Sequence, residues 1–169
     1  MIFLKKLNPN KDITKKYQSW MNDKMVHRFT EQGRKKHSIE DIKKFVTEKN
    51  KLKNEFLFGI FFRDKNKLNH IGNIKLGPIN FIHKTAEISY FIGDKNLWGK
   101  NFATNAIKQI LNLAKIKKIK KIKACLHEMN HGSKKVLKKN GFKLEGTFLS
   151  EIIYKKKRYK RYWMGKILK

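Results

Sequence analysis

An amphipathic helix between two apolar strands is the part of this sequence that most constrains the fold. Between residues 103 and 116 apolar residues recur at helical spacing, which predicts a helix that buries one face. Ala86–Gly93 before this helix and Ile122–His127 after it have the composition and alternation of strands. The predicted apolar face of the helix comprises Ala103, Ala106, Ile107, Ile110, Leu111, Leu113 and Ala114.

The other elements predict an α/β (α+β) domain with a mostly antiparallel sheet and about four helices. Further strands are predicted over residues 2–7, 55–63, 70–76, 142–154 and 159–168, and further helices over residues 13–21, from Ser38 onward and over 133–140. Ser38 and Asp41 resemble a capping box, Gly77-Pro78 is expected to end a strand, and Gly141 is expected to end a helix. Because the composition does not change along the chain, residues 1–169 are expected to form one domain.

The net charge of +29 favours polyanionic partners such as nucleic acid, anionic membranes or phosphorylated small molecules. However, only five of the 42 basic residues are Arg, and Lys, Ile and Asn together supply 71 of the 169 residues. These three residue types share A/T-rich codons, so most of the charge is interpreted as compositional bias. Planar, bidentate recognition of phosphates or bases would also favour Arg over Lys.

Cysteine content and hydropathy exclude several classes of protein. The single cysteine, Cys125, excludes an internal disulfide and a multi-cysteine zinc site, and it is expected to pack in the core. No apolar run approaches the roughly 18 residues that a membrane span needs, and the apolar start is too short for a signal peptide. We therefore expect a soluble cytoplasmic protein without a metal. The lysine-rich run over residues 115–123 is expected to be a helix end, a turn and a strand start rather than a membrane-surface helix.

The segment Tyr90–Thr104 carries the clearest functional signal. A predicted strand enters a short loop containing Gly99 and Asn101, and the loop opens directly into the amphipathic helix. A helix N-terminus presents free N–H groups and the positive end of the helix dipole, so it favours phosphate. Asn101 tolerates a positive φ better than most residues. The alternative interpretation is an ordinary strand–turn–helix connection.

A second polar segment, Asn130–Gly146, enters the short helix and leaves it at Gly141. Together the two segments resemble the GNAT superfamily of acetyl-CoA-dependent N-acetyltransferases, in particular the branch of ribosomal-protein-alanine and spermidine acetyltransferases. The resemblance covers nearly the whole chain and is most specific over residues 86–146. It implies a sheet that splays open at the cofactor site and acetyl-CoA as the co-substrate.

The resemblance also implies which residues bind acetyl-CoA. Ile92 and Gly93 match the strand that pairs with the pantetheine arm, and Asn130 and Ser133 match the polar pair on the other side of the cofactor. The residues that match the pyrophosphate loop are Trp98, Gly99, Lys100, Asn101, Phe102, Ala103 and Thr104. Trp98 stands where the family pattern has Arg or Gln, and Asn101 stands where it has Gly. A weaker pyrophosphate cradle is the expected consequence.

The catalytic groups are less well defined by the resemblance. Many family members use a Tyr of the last helix to reprotonate the CoA thiolate, but the matching position here is Leu137, so Ser133 is the nearest substitute. For the general base, Glu87 is the first candidate, because it starts the strand that should splay, and His83 is the second. The alternatives are an exposed strand-edge carboxylate and a loop histidine.

The reaction implied by the resemblance is direct transfer of an acetyl group to a primary amine in a ternary complex. Trp20, Asn22 and Glu31 lie in the part of the chain that resembles the acceptor-facing region, although core packing is the alternative for Trp20. The positive field disfavours polycationic acceptors and favours an anionic small molecule such as a nucleotide-linked amino sugar. A protein N-terminus of the ribosomal-protein type is the alternative acceptor.

Two alternatives of another class stay open. A non-catalytic RNA- or DNA-binding domain would account for the charge, and an acyl-CoA-binding regulatory domain would account for the missing Tyr. No helix-turn-helix or RNA-binding motif is recognisable, and no membrane partner is expected. The oligomeric state is expected to be a monomer or a homodimer.

Overall fold

The structure is a computed structural model that describes residues 1–65 and 67–169. The described residues form seven strands and four α-helices. In chain order these are β1 (Ile2–Lys6), α1 (Lys15–Met21), α2 (Ile39–Lys51), β2 (Phe56–Asp64), β3 (Lys67–Asn80), β4 (Thr85–Ile92), α3 (Phe102–Ile116), β5 (Lys121–His127), α4 (His131–Lys139), β6 (Lys143–Tyr154) and β7 (Lys157–Ile167).

All seven strands form one mixed sheet in the order β1-β2-β3-β4-β5-β7-β6. Every neighbouring pair is antiparallel except β4 and β5, which are parallel and pair only over Thr85–Glu87 and Lys121–Lys123. Beyond Glu87 the two strands separate, and the sheet is open between them. This confirms the predicted fold class and the predicted splay.

Helices cover both faces of the sheet because each presents one apolar stripe. On one face α3 buries Ala106, Ile107 and Ile110 in a core that it shares with the sheet residues Ile74 and Ile122. On the other face a second core is formed by α1, α2 and the first two strands. Its buried members are Leu7, Ile13, Tyr17, Trp20, Met21, Ile42, Val46, Leu57 and Phe61.

Several local predictions are confirmed. The hydroxyl of Ser38 accepts from the Asp41 N–H at 3.0 Å, and the Asp41 carboxylate accepts from the Ser38 N–H at 3.0 Å, which completes the capping box. Gly141 follows α4 with φ +80°, the left-handed conformation expected at that position. The lysine-rich run is the end of α3, a turn and the start of β5.

No helix of the described residues is long and apolar enough to cross a bilayer.

Two local predictions are wrong. Gly77-Pro78 does not end β3, which continues to Asn80 through a bulge, with the pairing to β4 shifted between Leu76 and Ile79. A bulge accommodates a proline because the residue there need not donate to the neighbouring strand. Cys125 is exposed and not in the core, because strand alternation places it on the face opposite to the buried Ala124 and Leu126.

Candidate active site

The opening between β4 and β5 exposes backbone hydrogen-bonding groups along β4. The N–H of Gly93 donates to the Ile71 carbonyl at 2.8 Å, so Gly93 lies in a hydrogen-bonded position of the antiparallel pair with β3. These positions alternate along such a pair. The backbone groups of Tyr90 and Ile92 consequently point away from β3 and into the opening. A ligand with amide groups can pair with this free strand edge.

The N-terminus of α3 faces the same opening. Gly99 and Asn101 turn the chain into the helix with φ of +77° and +61°, and the Asn101 side chain makes no capping bond. The first N–H to donate within the helix is that of Asn105, to the Asn101 carbonyl at 3.0 Å. The preceding N–H groups, from Asn101 to Thr104, have no partner within the helix. Free N–H groups at the positive end of a 15-residue helix form an anion site.

The opening is a cavity of about 340 Å³. Its wall contains nine of the eleven residues that the sequence predicts for the cofactor, namely Ile92, Trp98, Gly99, Asn101, Phe102, Ala103, Thr104, Asn130 and Ser133. The other two, Gly93 and Lys100, do not line it. A Cβ atom on Gly93 would overlap the Trp20 ring, so this glycine is needed for packing, and Lys100 is exposed at the surface.

The cavity wall suits a large, flexible anion. The hydroxyl oxygen of Thr104 is buried beside the helix N-terminus without a hydrogen-bond partner among the described residues. Lys135 and Lys139 of α4 line the opposite side, and the Lys139 ammonium donates to the Asn101 side-chain oxygen at 3.0 Å. The indole N–H of Trp98 donates to the Ile92 carbonyl at 2.8 Å. This hydrogen bond occupies the Ile92 carbonyl on the free edge of β4, but it leaves the backbone N–H groups of that edge available.

A hydroxyl pair lies where α4 approaches β4. The Tyr90 phenol and the Ser133 hydroxyl are 2.7 Å apart, and burial raises the pKa of Tyr90 to about 12. The phenol therefore keeps its proton throughout the neutral range. Ser133 is held in place because its backbone N–H donates to the Asn130 side chain at 3.1 Å, which caps α4. Sequence reasoning predicted Ser133 but missed Tyr90, although Tyr90 is two residues before Ile92 on the same edge of β4.

A second cavity, of about 690 Å³, lies on the face of the sheet that α1 and α2 cover. Thr30, Tyr90 and Phe91 line both cavities, so the two meet at these residues. Of the predicted acceptor residues, only Glu31 lines this second cavity.

Trp20 and Asn22 have packing roles instead. Trp20 is buried in the core against Gly93. The Asn22 side chain accepts from the His37 N–H at 2.8 Å and donates to the His37 carbonyl at 2.9 Å. Asn22 thus ties the end of α1 to the start of α2, and neither residue lines either cavity.

The two predicted general bases lie outside both cavities. Glu87 is in the part of β4 that still pairs with β5, and its carboxylate lies 3.7 Å from the Lys123 ammonium. His83 is exposed in the turn before β4. A strand rises about 3.3 Å per residue, so Glu87 is about 10 Å from Tyr90 along β4, and His83 lies further away, before the strand begins. The position at which the strands separate could not be derived from the sequence.

Comparison with models of known protein families identifies the family of this protein. The family model of the acetyltransferase (GNAT) domain matches residues 2–143. The chain belongs to the GNAT acetyltransferase family. The described splay of β4 and β5 and the glycine-containing loop before α3 are thus parts of a GNAT domain. No match was found among curated proteins.

Solved structures share this GNAT fold at low sequence identity. Spermidine N-acetyltransferase from Vibrio cholerae, in complex with CoA and spermine, is 22% identical with a TM-score of 0.84, over 98% of this chain and 95% of that one. The ribosomal alpha-N-protein acetyltransferase RimL in complex with CoA is 18% identical with a TM-score of 0.85, over 99% and 94%. The microcin self-immunity acetyltransferase MccE, in complex with acetyl-CoA and AMP, is 21% identical with a TM-score of 0.82, over 99% and 92%.

The buried histidines make this GNAT domain sensitive to acid. Burial, together with the charge of His37, lowers the pKa of His27 from 6.5 to about 4, although Asp23 acts in the opposite direction. Burial also lowers the pKa values of His70 and His127. Between pH 6.5 and pH 4 His27 binds more protons in the unfolded chain than in the folded one. Its contribution to the free energy of unfolding is therefore fully present above pH 6.5 and decreases toward pH 4. We expect His27 alone to contribute roughly 3 kcal/mol to this loss at pH 4.

Urea unfolding between pH 4 and 7.5 measures this effect. The His27→Gln variant should lose less stability over the same range, because its side chain does not titrate. Equal losses in the variant and the wild type would show that His27 is not held neutral by the fold.

Proposed function

We propose that this protein transfers an acetyl group from acetyl-CoA directly to the primary amine of a small anionic acceptor. The observation that carries the proposal is the junction of the two cavities at Thr30, Tyr90 and Phe91. One cavity offers free backbone donors and lysines to a phosphate-rich ligand, and the other is large enough for a separate acceptor. Two ligands that meet at one point need no covalent enzyme intermediate.

The residues of the first cavity fit acetyl-CoA. The pyrophosphate would lie at the N-terminus of α3, where the N–H groups of Asn101 to Thr104 and the hydroxyl of Thr104 lack partners within the described part of the chain. Lys139 adds positive charge from α4. The backbone N–H groups of Tyr90 and Ile92 would pair with the amide groups of the pantetheine arm. Acetyl-CoA supplies an activated thioester, and the protein supplies position and protons.

Ser133 and Tyr90 would supply the proton for the leaving sulfur. Leu137, at the position where many family members have Tyr, is buried in the core and offers no proton. A serine hydroxyl alone is a weak acid, but here it is hydrogen-bonded to a phenol that stays protonated. In a desolvated site such a paired donor stabilises developing negative charge more than an isolated hydroxyl does.

The charges of the second cavity favour an acceptor with a negative group. Lys49 and Lys75 line it and share the single carboxylate of Glu55, at 2.5 and 3.3 Å, which leaves one excess positive charge. Of the acidic residues in its wall, Glu31 pairs with Arg34 at 2.7 Å, and the charge of Asp41 is offset by Lys35 of the same wall. An acceptor that joins an amine to a phosphate or carboxylate, such as a nucleotide-linked amino sugar, matches this wall.

A thiol-release assay with acetyl-CoA and three classes of amine tests the proposal. The amines are nucleotide-linked amino sugars, peptides with a free N-terminus, and polyamines. We expect saturable acetyl-CoA binding and the highest kcat/KM with an anionic amine. A highest value with polyamines or peptides would overturn the acceptor class. Acetyl-CoA binding without CoA release for any amine would overturn the enzymatic proposal, and RNA binding that persists above physiological salt would favour the nucleic-acid alternative.

A further inference from the structure

We propose that His27 is the general base that takes the proton from the acceptor amine, an assignment that rests on the proposed function. His27 lies in the segment between α1 and α2 and is one of the residues that line the second cavity. The ring packs edge-on against Phe91 at a centroid distance of 4.9 Å. Because Phe91 lines both cavities, the imidazole is next to the junction where acceptor and thioester would meet.

The hydrogen bonds of His27 are compatible with a proton on Nδ1. The Thr30 hydroxyl donates to the His27 carbonyl at 3.3 Å, and the same oxygen lies 3.1 Å from Nδ1. In the tautomer that we propose, the hydroxyl donates to the carbonyl and Nδ1–H donates to the Thr30 oxygen. The lone pair is then on Nε2, which is buried and has no partner among the described residues. A buried acceptor without a donor is unfavourable, so the amine of an acceptor would relieve that deficit.

Three other titratable groups of the second cavity already have partners. His37 holds the Gln32 carbonyl through Nε2 at 2.9 Å, Glu31 pairs with Arg34, and Asp41 caps α2. Among the described residues of this wall, His27 is the one with a buried side-chain nitrogen or oxygen that lacks a hydrogen-bond partner. His37 and Asp23 are the charged groups that influence it, and apolar Phe91 covers it from β4. Burial keeps the imidazole neutral at physiological pH, which leaves its lone pair available, and the same burial makes it a weaker base than a free imidazole.

The proposed step balances as follows. The amine nitrogen forms a bond to the acetyl carbon, and His27 Nε2 takes one proton from that nitrogen. The carbon–sulfur bond breaks with its electron pair on sulfur, which takes a proton from the hydroxyl pair of Ser133 and Tyr90. His27 then releases its proton to solvent, and the pair regains one from solvent. The products are the acetylated amine and free CoA thiol.

Replacement of His27 by Gln tests the assignment, because Gln retains hydrogen-bonding capacity near Thr30 but cannot accept a proton at neutral pH. With the best amine of the thiol-release assay we expect kcat to fall roughly 100-fold, the usual size of a general-base contribution, while the Kd of acetyl-CoA changes less than about twofold. In His27→Ala, added imidazole should restore part of the rate. A purely structural role would not give this rescue.

Two matched variants and one spectrum complete the test. His127→Gln removes a histidine that is equally buried, at 2% exposure for both, but lines neither cavity, and it should retain kcat within about threefold. Glu87→Gln tests the carboxylate that the sequence favoured. Nitrogen NMR of the wild type at pH 7 should show the proton of His27 on Nδ1, whether or not an acceptor is known.

The outcomes separate the two proposals. A wild type that releases CoA with an amine, together with an equally active His27→Gln variant, would overturn the role of His27 alone. A proton on Nε2, or a large loss of kcat in Glu87→Gln and not in His27→Gln, would also overturn it. A wild type that is inactive with every amine would overturn the proposed function.

Discussion

Ala103→Glu is expected to weaken acetyl-CoA binding by about 100-fold, which corresponds to roughly 2.7 kcal/mol. Ala103 is the second residue of α3 and lines the first cavity at the helix N-terminus. A glutamate there would place bulk and negative charge where the pyrophosphate would bind. The fold should tolerate the change, because a carboxylate in the first turn of a helix interacts favourably with its dipole.

Isothermal titration with acetyl-CoA measures this effect, and Asn105→Glu is the control. Asn105 is exposed two residues further along α3 and lines neither cavity, so the variant adds the same charge outside the cleft. The control should bind within about threefold of the wild type. Equal affinities for Ala103→Glu and the wild type, with both proteins folded, would show that the N-terminus of α3 does not hold the cofactor.

Tyr90→Phe is expected to lower kcat by roughly 10- to 100-fold without changing the Kd of acetyl-CoA. The substitution removes only the hydroxyl, which lies 2.7 Å from the Ser133 hydroxyl, and it leaves the backbone edge of β4 unchanged. Ser133→Ala should lower kcat at least as much, since Ser133 is the member of the pair at the N-terminus of α4. Because Tyr90 titrates only near pH 12, it should add no feature to the pH profile between 6 and 10.

The double variant decides whether the two hydroxyls act as a unit. If they do, Tyr90→Phe with Ser133→Ala should be no slower than Ser133→Ala alone, because residues that act together are not additive. Single-turnover measurements isolate the chemical step from product release. Additive losses would instead assign separate roles to the two residues, and an unchanged kcat in both single variants would exclude the pair as the proton source.

Much of the cofactor cleft could be predicted because its chemistry is local. The turn into α3 depends on backbone conformation, and Asn101 adopts the positive φ that its side chain tolerates. The capping of α4 by Asn130 depends on a contact three residues away. Such features follow from residues that are close in sequence, so a single sequence contains the information. Nine of the eleven cofactor residues that the family resemblance implied line one cavity.

Of the proposed catalytic groups only Ser133 was predicted from the sequence, because the roles proposed for Tyr90 and His27 depend on contacts across the fold. Tyr90 and Ser133 are 43 residues apart in sequence and meet only because α4 packs beside the free part of β4. His27 was overlooked because its significance comes from burial against Phe91. Glu87 had a suitable side chain, but the sheet is still closed at that residue. Side-chain chemistry identified candidates, and position in the tertiary structure selected among them.

By itself the sequence determined the amphipathic α3, the loop that precedes it and the helix caps, because these arise from periodicity and neighbouring residues. It also determined a net charge of +29, because the sequence has 42 Lys and Arg residues but only 13 Asp and Glu residues. Only the tertiary structure decided where β4 and β5 separate, and it did so by ending their pairing after Glu87. That separation results from packing between distant segments, and it creates the junction of two cavities on which the proposed reaction depends.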